Sequence, residues 1–157
     1  MKTDSYIRFG LIIAFMVLLA DQLNKYWTLH IYQLAEKGRV PVTPFLDLVL
    51  VWNKGISYGM FQQDGYGRYI LIGLSVAISV GLIYWLRGVK YKSVAVALGM
   101  IIGGAIGNAI DRGVYGAVAD FFLLHGFGYE WYVFNVADIA ISLGVCLLLI
   151  ETLRKRA

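Results

Sequence analysis

Residues 94–112, VAVALGMIIGGAIGNAIDR, decide how this chain is read. From about 94 to 110 the stretch is apolar or small apart from Asn108, and then Asp111 and Arg112 follow at once. A helical run of roughly 17 to 22 such residues crosses a hydrocarbon core of about 30 Å. Three more runs of this kind lie at about 9–29, 69–86 and 133–153, the first with its most apolar part before Asp21. The pattern predicts an all-α membrane protein with four transmembrane helices.

Composition agrees. Of 157 residues, 59% are hydrophobic and only 15% charged, too few to coat a soluble globule of this size. Mean hydropathy is +0.68. The length fits one domain, 1–157, with an external segment at about 30–68. The net charge of +4 comes from basic residues at the ends of apolar runs, where they anchor helices. They form no stripe, so no nucleic-acid partner is expected. The single cysteine, Cys146, lies inside the last run; an intrachain disulfide or cysteine knuckle is ruled out, and it reads as a packing residue.

The start of the chain imitates a secretory signal, with Lys2 and Arg8 ahead of an apolar stretch ending at Leu19-Ala20. Leu18 occupies the third position before the cut and Asp21-Gln22-Leu23 follows, so a retained first helix is the better reading. Basic residues then set orientation. Lys2 and Arg8, then Arg87, Lys90 and Lys92, then Arg154, Lys155 and Arg156 all fall on one side of a four-span chain. Both termini are expected in the cytoplasm, and Asp21, Asp111, Asp120 and Asp138 toward the outer face.

Between the first two runs, residues 45–53, FLDLVLVWN, follow Pro41 and Pro44 and read as one or two strands on the membrane surface. Gly99, Gly103 and Gly107 recur every four residues, the spacing that lets membrane helices approach closely.

An ionisable residue within a membrane segment is a functional-site candidate by default. Two carboxylates that meet give one charged and one protonated acid, the pairing that activates water in aspartic proteases. Asp120 and Asp138 are that candidate pair. Asn108, Asp111 and Arg112 share one helix face if the third span continues that far. Asn135 and Asp138 are three apart at the outer end of the fourth span, with Asp138 about 7 Å into it. The plainer reading is an Asp111–Arg112 or Asp120–Arg112 pair that fixes a loop.

Five blocks carry a resemblance. GGAIGNAIDR at 103–112, GAVADF at 116–121, FNVAD at 134–138, DQLNK at 21–25 and NKGISYG at 53–59 resemble the lipoprotein signal peptidase family, also called signal peptidase II. They cover most of the chain, in order and at matching spacing. The resemblance implies a four-span bacterial inner-membrane aspartyl protease. Such an enzyme removes the signal peptide of prolipoproteins before a diacylglyceryl-modified cysteine, without a cofactor. It implies Asp120 and Asp138 as catalytic residues, with Asn53, Asn108, Asp111, Arg112 and Asn135 supporting or orienting the site. It gives Asp21 and Lys25 a structural role, and makes the strand-rich segment a surface cradle for the substrate. The expected partners are diacylglyceryl prolipoproteins and membrane lipids, and the expected state is a monomer. Many members carry two alanines and an aromatic where this chain has Ile56-Ser57-Tyr58, a departure that bears on cradle detail and substrate preference.

Three other readings compete. GISYG at 55–59 matches the Gly-x-Ser-x-Gly elbow, with Ser57 as nucleophile and His125 as base, but that motif needs a doubly wound sheet. A metal held by Asp111, Asp120, His125 and Asp138 lacks the His-Glu-x-x-His pattern, and the chain has only two histidines; His125, beside Gly126, reads as part of an external turn. A small proton- or ion-conducting protein would use paired carboxylates as a relay. Conduction needs polar groups at depth, yet from 71 to 83 only Ser75 and Ser79 are polar.

Overall fold

The computed structural model describes residues 2–55 and 66–154. Helix α1, Lys2–Tyr26, continues through a π-helical turn, Trp27–Ile31. A short helix α2, Leu34–Lys37, precedes strands β1, Val40–Thr43, and β2, Leu46–Asn53. Helices α3, Gly67–Leu86, and α4, Lys92–Tyr115, follow. Strands β3, Val118–Gly126, and β4, Tyr129–Phe134, then lead into α5, Val136–Arg154. Ile56, Ser57 and Tyr58 lie outside the described residues.

Four helices are long and apolar enough to cross a membrane: Tyr6–Ile31, Gly67–Leu86, Lys92–Tyr115 and Val136–Arg154. They coincide with the four expected runs. The third reaches Tyr115, so Asn108, Asp111 and Arg112 do share one helix. The fourth starts three residues later than expected, because Val133 and Phe134 belong to β4.

Helix α4 is the axis on which α1, α3 and α5 pack. Apolar side chains fill part of the core, around Leu86, Leu98 and Ile102, and also cover the outside of the bundle. Leu11 and Phe15 of α1, Leu74 and Val80 of α3, and Leu149 and Leu153 of α5 are exposed. Asp21, Lys25, Asn108, Asp111 and Arg112 are buried. Exposed apolar side chains on the outside of the bundle, with charged groups confined to its interior, are what a bilayer solvent selects.

The glycine row is the packing device its spacing predicted. A methyl group on Gly103 would lie 2.9 Å from Val17 Cβ, and one on Gly107 would lie 2.6 Å from Asp21 Oδ2. Gly103 therefore lets α1 and α4 touch backbone to backbone, and Gly107 leaves room for a carboxylate between them.

The strands correct the all-α expectation. They form one antiparallel sheet, ordered β1-β2-β3-β4, and half of it comes from the segment after α4 rather than from the segment between the first two spans. Pairing of β2 with β3 joins the two halves, setting Val51 opposite Asp120 and Asn53 opposite Val118. Gly116, at φ +79°, ends α4 in the left-handed conformation and turns the chain into β3. Phe127 and Gly128, at φ 51° and 82°, make the two-residue β3–β4 hairpin, whose twist needs positive φ at both positions.

An ionic network on the sheet links β2, β3 and β4 with the residue that leads into β1. Asp47 of β2 accepts from Arg39, just before β1, and lies 3.0 Å from His125 Nε2 of β3; Arg39 also pairs with Glu130 of β4. Burial alone would raise the Asp47 carboxyl, but the bonds from Arg39 and His125 outweigh it and hold it below its ordinary value. His125 is thus a strand residue, not part of a turn.

The glycine row can be tested by contrast. Gly103→Ala should destabilise the protein by about 1–3 kcal/mol through overpacking. Gly113→Ala, on the same helix with no described residue near enough to meet the added methyl, should gain about 0.5–1 kcal/mol. Thermal unfolding in detergent reads both.

Candidate active site

The site forms where the far ends of α1 and α4, the near end of α5 and strand β3 meet. Helix α5 is opened by a reciprocal cap. Asn135 Oδ1 accepts the Asp138 backbone N–H at 3.0 Å, and Asp138 Oδ2 accepts the Asn135 N–H at 3.3 Å. This is a capping box with asparagine at the cap and aspartate three residues on. It fixes the Asp138 carboxylate at the positive end of the helix dipole.

The same Asn135 reaches the other aspartate. Its Nδ2 donates to Asp120 Oδ1 at 2.6 Å and to Asn108 Oδ1 at 3.2 Å. Asn108 Nδ2 in turn donates to Asp138 Oδ1 at 2.9 Å. Asn53 Nδ2 donates to Asp120 Oδ2 at 3.1 Å while its own Oδ1 takes the Gly55 N–H. Three asparagines therefore hold two carboxylates that come from a strand and a helix. Asp120 is buried and Asp138 half-buried. Burial, and next the charge of Asp138, push the Asp120 carboxyl up from 3.8 to about 7.

Asn53, Asn108, Asp111, Arg112, Asp120, Asn135 and Asp138 come together here, though not always in the expected contact. The charged partner of Asp111 is Lys25, at 2.7 Å, rather than Arg112. Arg112 instead donates to the Asn108 carbonyl at 3.2 Å and the Gly55 carbonyl at 2.8 Å. It thereby fastens the end of β2 to α4, and the loop-fixing pair of the plainer reading is replaced by a helix-to-strand tether. Sequence reasoning passed over Gln22, whose Nε2 donates to both Asp21 and Asp111.

The metal reading finds no support in the geometry. Among the described residues no three His, Cys, Asp or Glu side chains group as ligands. His125 sits five residues from Asp120 on the same strand, and alternation sends the two to opposite faces. The elbow reading rests on Ser57, outside the described residues.

Fold and site together define a polytopic membrane protein in which two apposed aspartates are walled by helices and flanked by a sheet. The family model described as signal peptidase (SPase) II matches residues 13–154, and the chain belongs to that family. A lipoprotein signal peptidase of Rhodopseudomonas palustris strain TIE-1 is 49% identical over 152 residues, covering 94% of this chain and 93% of that protein. One from Nitrobacter hamburgensis is 48% identical over 151 residues, covering 93% and 92%. A solved structure described as a bacterial membrane enzyme superposes with a TM-score of 0.80 at 28% identity, covering 94% of this chain and 89% of that one.

The raised Asp120 carboxyl has a consequence for stability. Between 3.8 and about 7 the folded state keeps a proton that the unfolded state has released. Stability contributed by the protonated group is therefore lost as pH rises through that window. Relative to wild type, Asp120→Asn should gain stability from about pH 4 to 7 and level off above. Thermal unfolding of both proteins across that range measures it, and a constant difference would contradict the raised carboxyl.

Proposed function

We propose that this chain is an aspartic endopeptidase that removes the signal peptide of diacylglyceryl-modified prolipoproteins, with Asp120 and Asp138 as its catalytic residues. The observation that carries the reading is Asn135, which binds the Asp120 carboxylate with its side chain and caps α5 together with Asp138. Its relatives are named lipoprotein signal peptidases, which supplies the substrate class.

Water attack on a peptide bond needs a base for the water and an acid for the carbonyl oxygen. Two carboxylates bridged by the same asparagines share one proton near neutral pH, because repulsion opposes ionisation of both. The ionised member takes the water proton while the protonated member polarises the scissile carbonyl. Collapse of the tetrahedral intermediate then returns a proton to the departing amine and releases the signal peptide. Asn53, Asn108 and Asn135 donate to carboxylate oxygens and keep them aimed; Arg112 and Asp111 fix the elements that carry them.

Residues 1–157 act in this reading as one peptidase unit in the inner membrane, with both termini cytoplasmic and the site at the outer face. The sheet beside Asp120 is the substrate cradle, and the enzyme works as a monomer. Burial of acyl chains, worth about 0.8 kcal/mol per CH₂, tethers the scissile bond at the depth of the site. The conduction reading explains paired acids but not their place at one end of the bundle, tied to a sheet.

Asp120→Asn and Asp138→Asn should each abolish cleavage of a diacylglyceryl prolipoprotein in micelles while leaving the protein folded. Wild-type enzyme should leave the same precursor without its lipid uncut at equal concentration. A gel shift reads both, and cleavage by either variant refutes the paired-aspartate mechanism.

A further inference from the structure

Lys25 is a cation held inside the bundle with almost no exposure. Its Nζ lies 2.8 Å from Asp21 Oδ2 on its own helix and 2.7 Å from Asp111 Oδ2 on α4, and it donates to Asn108 Oδ1 at 3.3 Å. An ion triad this well buried is weak evidence for stability, since desolvation offsets most of the attraction. What its two carboxylates do with their remaining lone pairs is more telling. Asp111 Oδ2 accepts the backbone N–H of Ala119 at 3.2 Å, and Asp21 Oδ1 accepts the backbone N–H of Ala137 at 3.0 Å. Ala119 immediately precedes Asp120, and Ala137 immediately precedes Asp138. Each arm of the triad therefore holds the backbone one residue ahead of one aspartate of the pair.

We infer that Lys25 is a positioning residue for the peptidase reaction: by drawing Asp21 and Asp111 together it sets the separation of Asp120 and Asp138 through their backbones. The inference rests on the paired-aspartate reading of the site and extends it to a residue that touches neither aspartate side chain. Helices α1 and α4 meet at one ammonium, and their carboxylates reach on to β3 and α5. Gly107 makes the clamp possible, because any larger residue there would displace the Asp21 carboxylate. Gln22 completes it, bridging Asp21 and Asp111 a second time from α1. The charge acts as well as the geometry. Asp120 faces Asp138 of α5, Arg112 of α4 and Lys25 of α1, and the Lys25 field favours its ionised form, against burial and Asp138.

The test uses full-length Lys25→Met and Lys25→Arg in detergent, cleaving diacylglyceryl prolipoprotein from about pH 5 to 9. Lys25→Met should lower kcat about 100-fold, the effect of an ångström-scale misplacement, with KM near wild type. Its acid limb should also move to higher pH, because the cation that favours ionised Asp120 is gone. Lys25→Arg should recover most of the lost kcat and leave the limb in place. Wild-type kcat in Lys25→Met, or a loss with the limb unmoved and no recovery in Lys25→Arg, overturns the inference. If Lys25→Met does not fold, Asp111→Asn removes one ion pair of the triad and decides the question: lower kcat at unchanged KM supports the clamp, and wild-type kcat contradicts it. Asp120→Asn is run in parallel. An inactive Asp120→Asn beside a wild-type-like Lys25→Met defeats the clamp alone, whereas an active Asp120→Asn defeats the mechanism beneath it.

Discussion

The cost of placing charge inside an apolar bundle governs this structure. Asp21, Lys25, Asp111, Arg112 and Asp120 are all buried, and a buried ion without partners is worth several kcal/mol of destabilisation. Each therefore takes a partner from another part of the chain: α1 to α4 through Lys25 and Asp111, α1 to α5 through Asp21 and Ala137, β3 to β2 through Asp120 and Asn53, and α4 to the segment just after β2 through Arg112 and Gly55. The polar interior thus dictates how the lipid-facing helices meet. Removing one partner would leave its mate uncompensated, which makes the arrangement cooperative.

Helix ends supply the rest of the economy. A membrane helix has unpaired N–H groups at its start, and in α5 these are taken by Asp138 with Asn135 at the cap, and by Asp21. The proposed chemistry is seated on groups that the fold must satisfy in any case. A carboxylate that caps a helix, and another that emerges from a strand held by its neighbour, need no separate scaffold to bring them together.

The four spans were legible because length and hydropathy alone report a bilayer crossing, and the glycine row because close helix approach leaves its four-residue period in the sequence. Strands β3 and β4 were not. Val118–Gly126 follows a helix with only Gly116 to mark the break, and Val133-Phe134 runs into α5 without a polar residue before Asn135. The apolar signal there is continuous across a change of structure. Sheet pairing of β2 with β3 joins segments separated by two whole helices, which no local pattern announces. In the site, the residues were identifiable by type and place, but their partners were not. Asp21 and Lys25, four apart on α1, pair there, while the third member, Asp111, is contributed by a helix distant in sequence. Arg112 beside Asp111 invited the wrong pairing, since neighbours in sequence on a helix point in different directions.

In the proposed mechanism Asp120 and Asp138 hold one proton between them near neutral pH. Isotope-edited infrared spectroscopy on protein with carbon-13-labelled aspartate carboxyls, comparing wild type with Asp138→Asn, observes that proton directly. The wild type should hold one protonated carboxyl just below neutral pH, lost on titration upward through about 7. Asp138→Asn should lose it at lower pH, because the repelling charge is gone. Fully ionised aspartates in the wild type at that pH, or a titration that ignores Asp138→Asn, would contradict the shared proton.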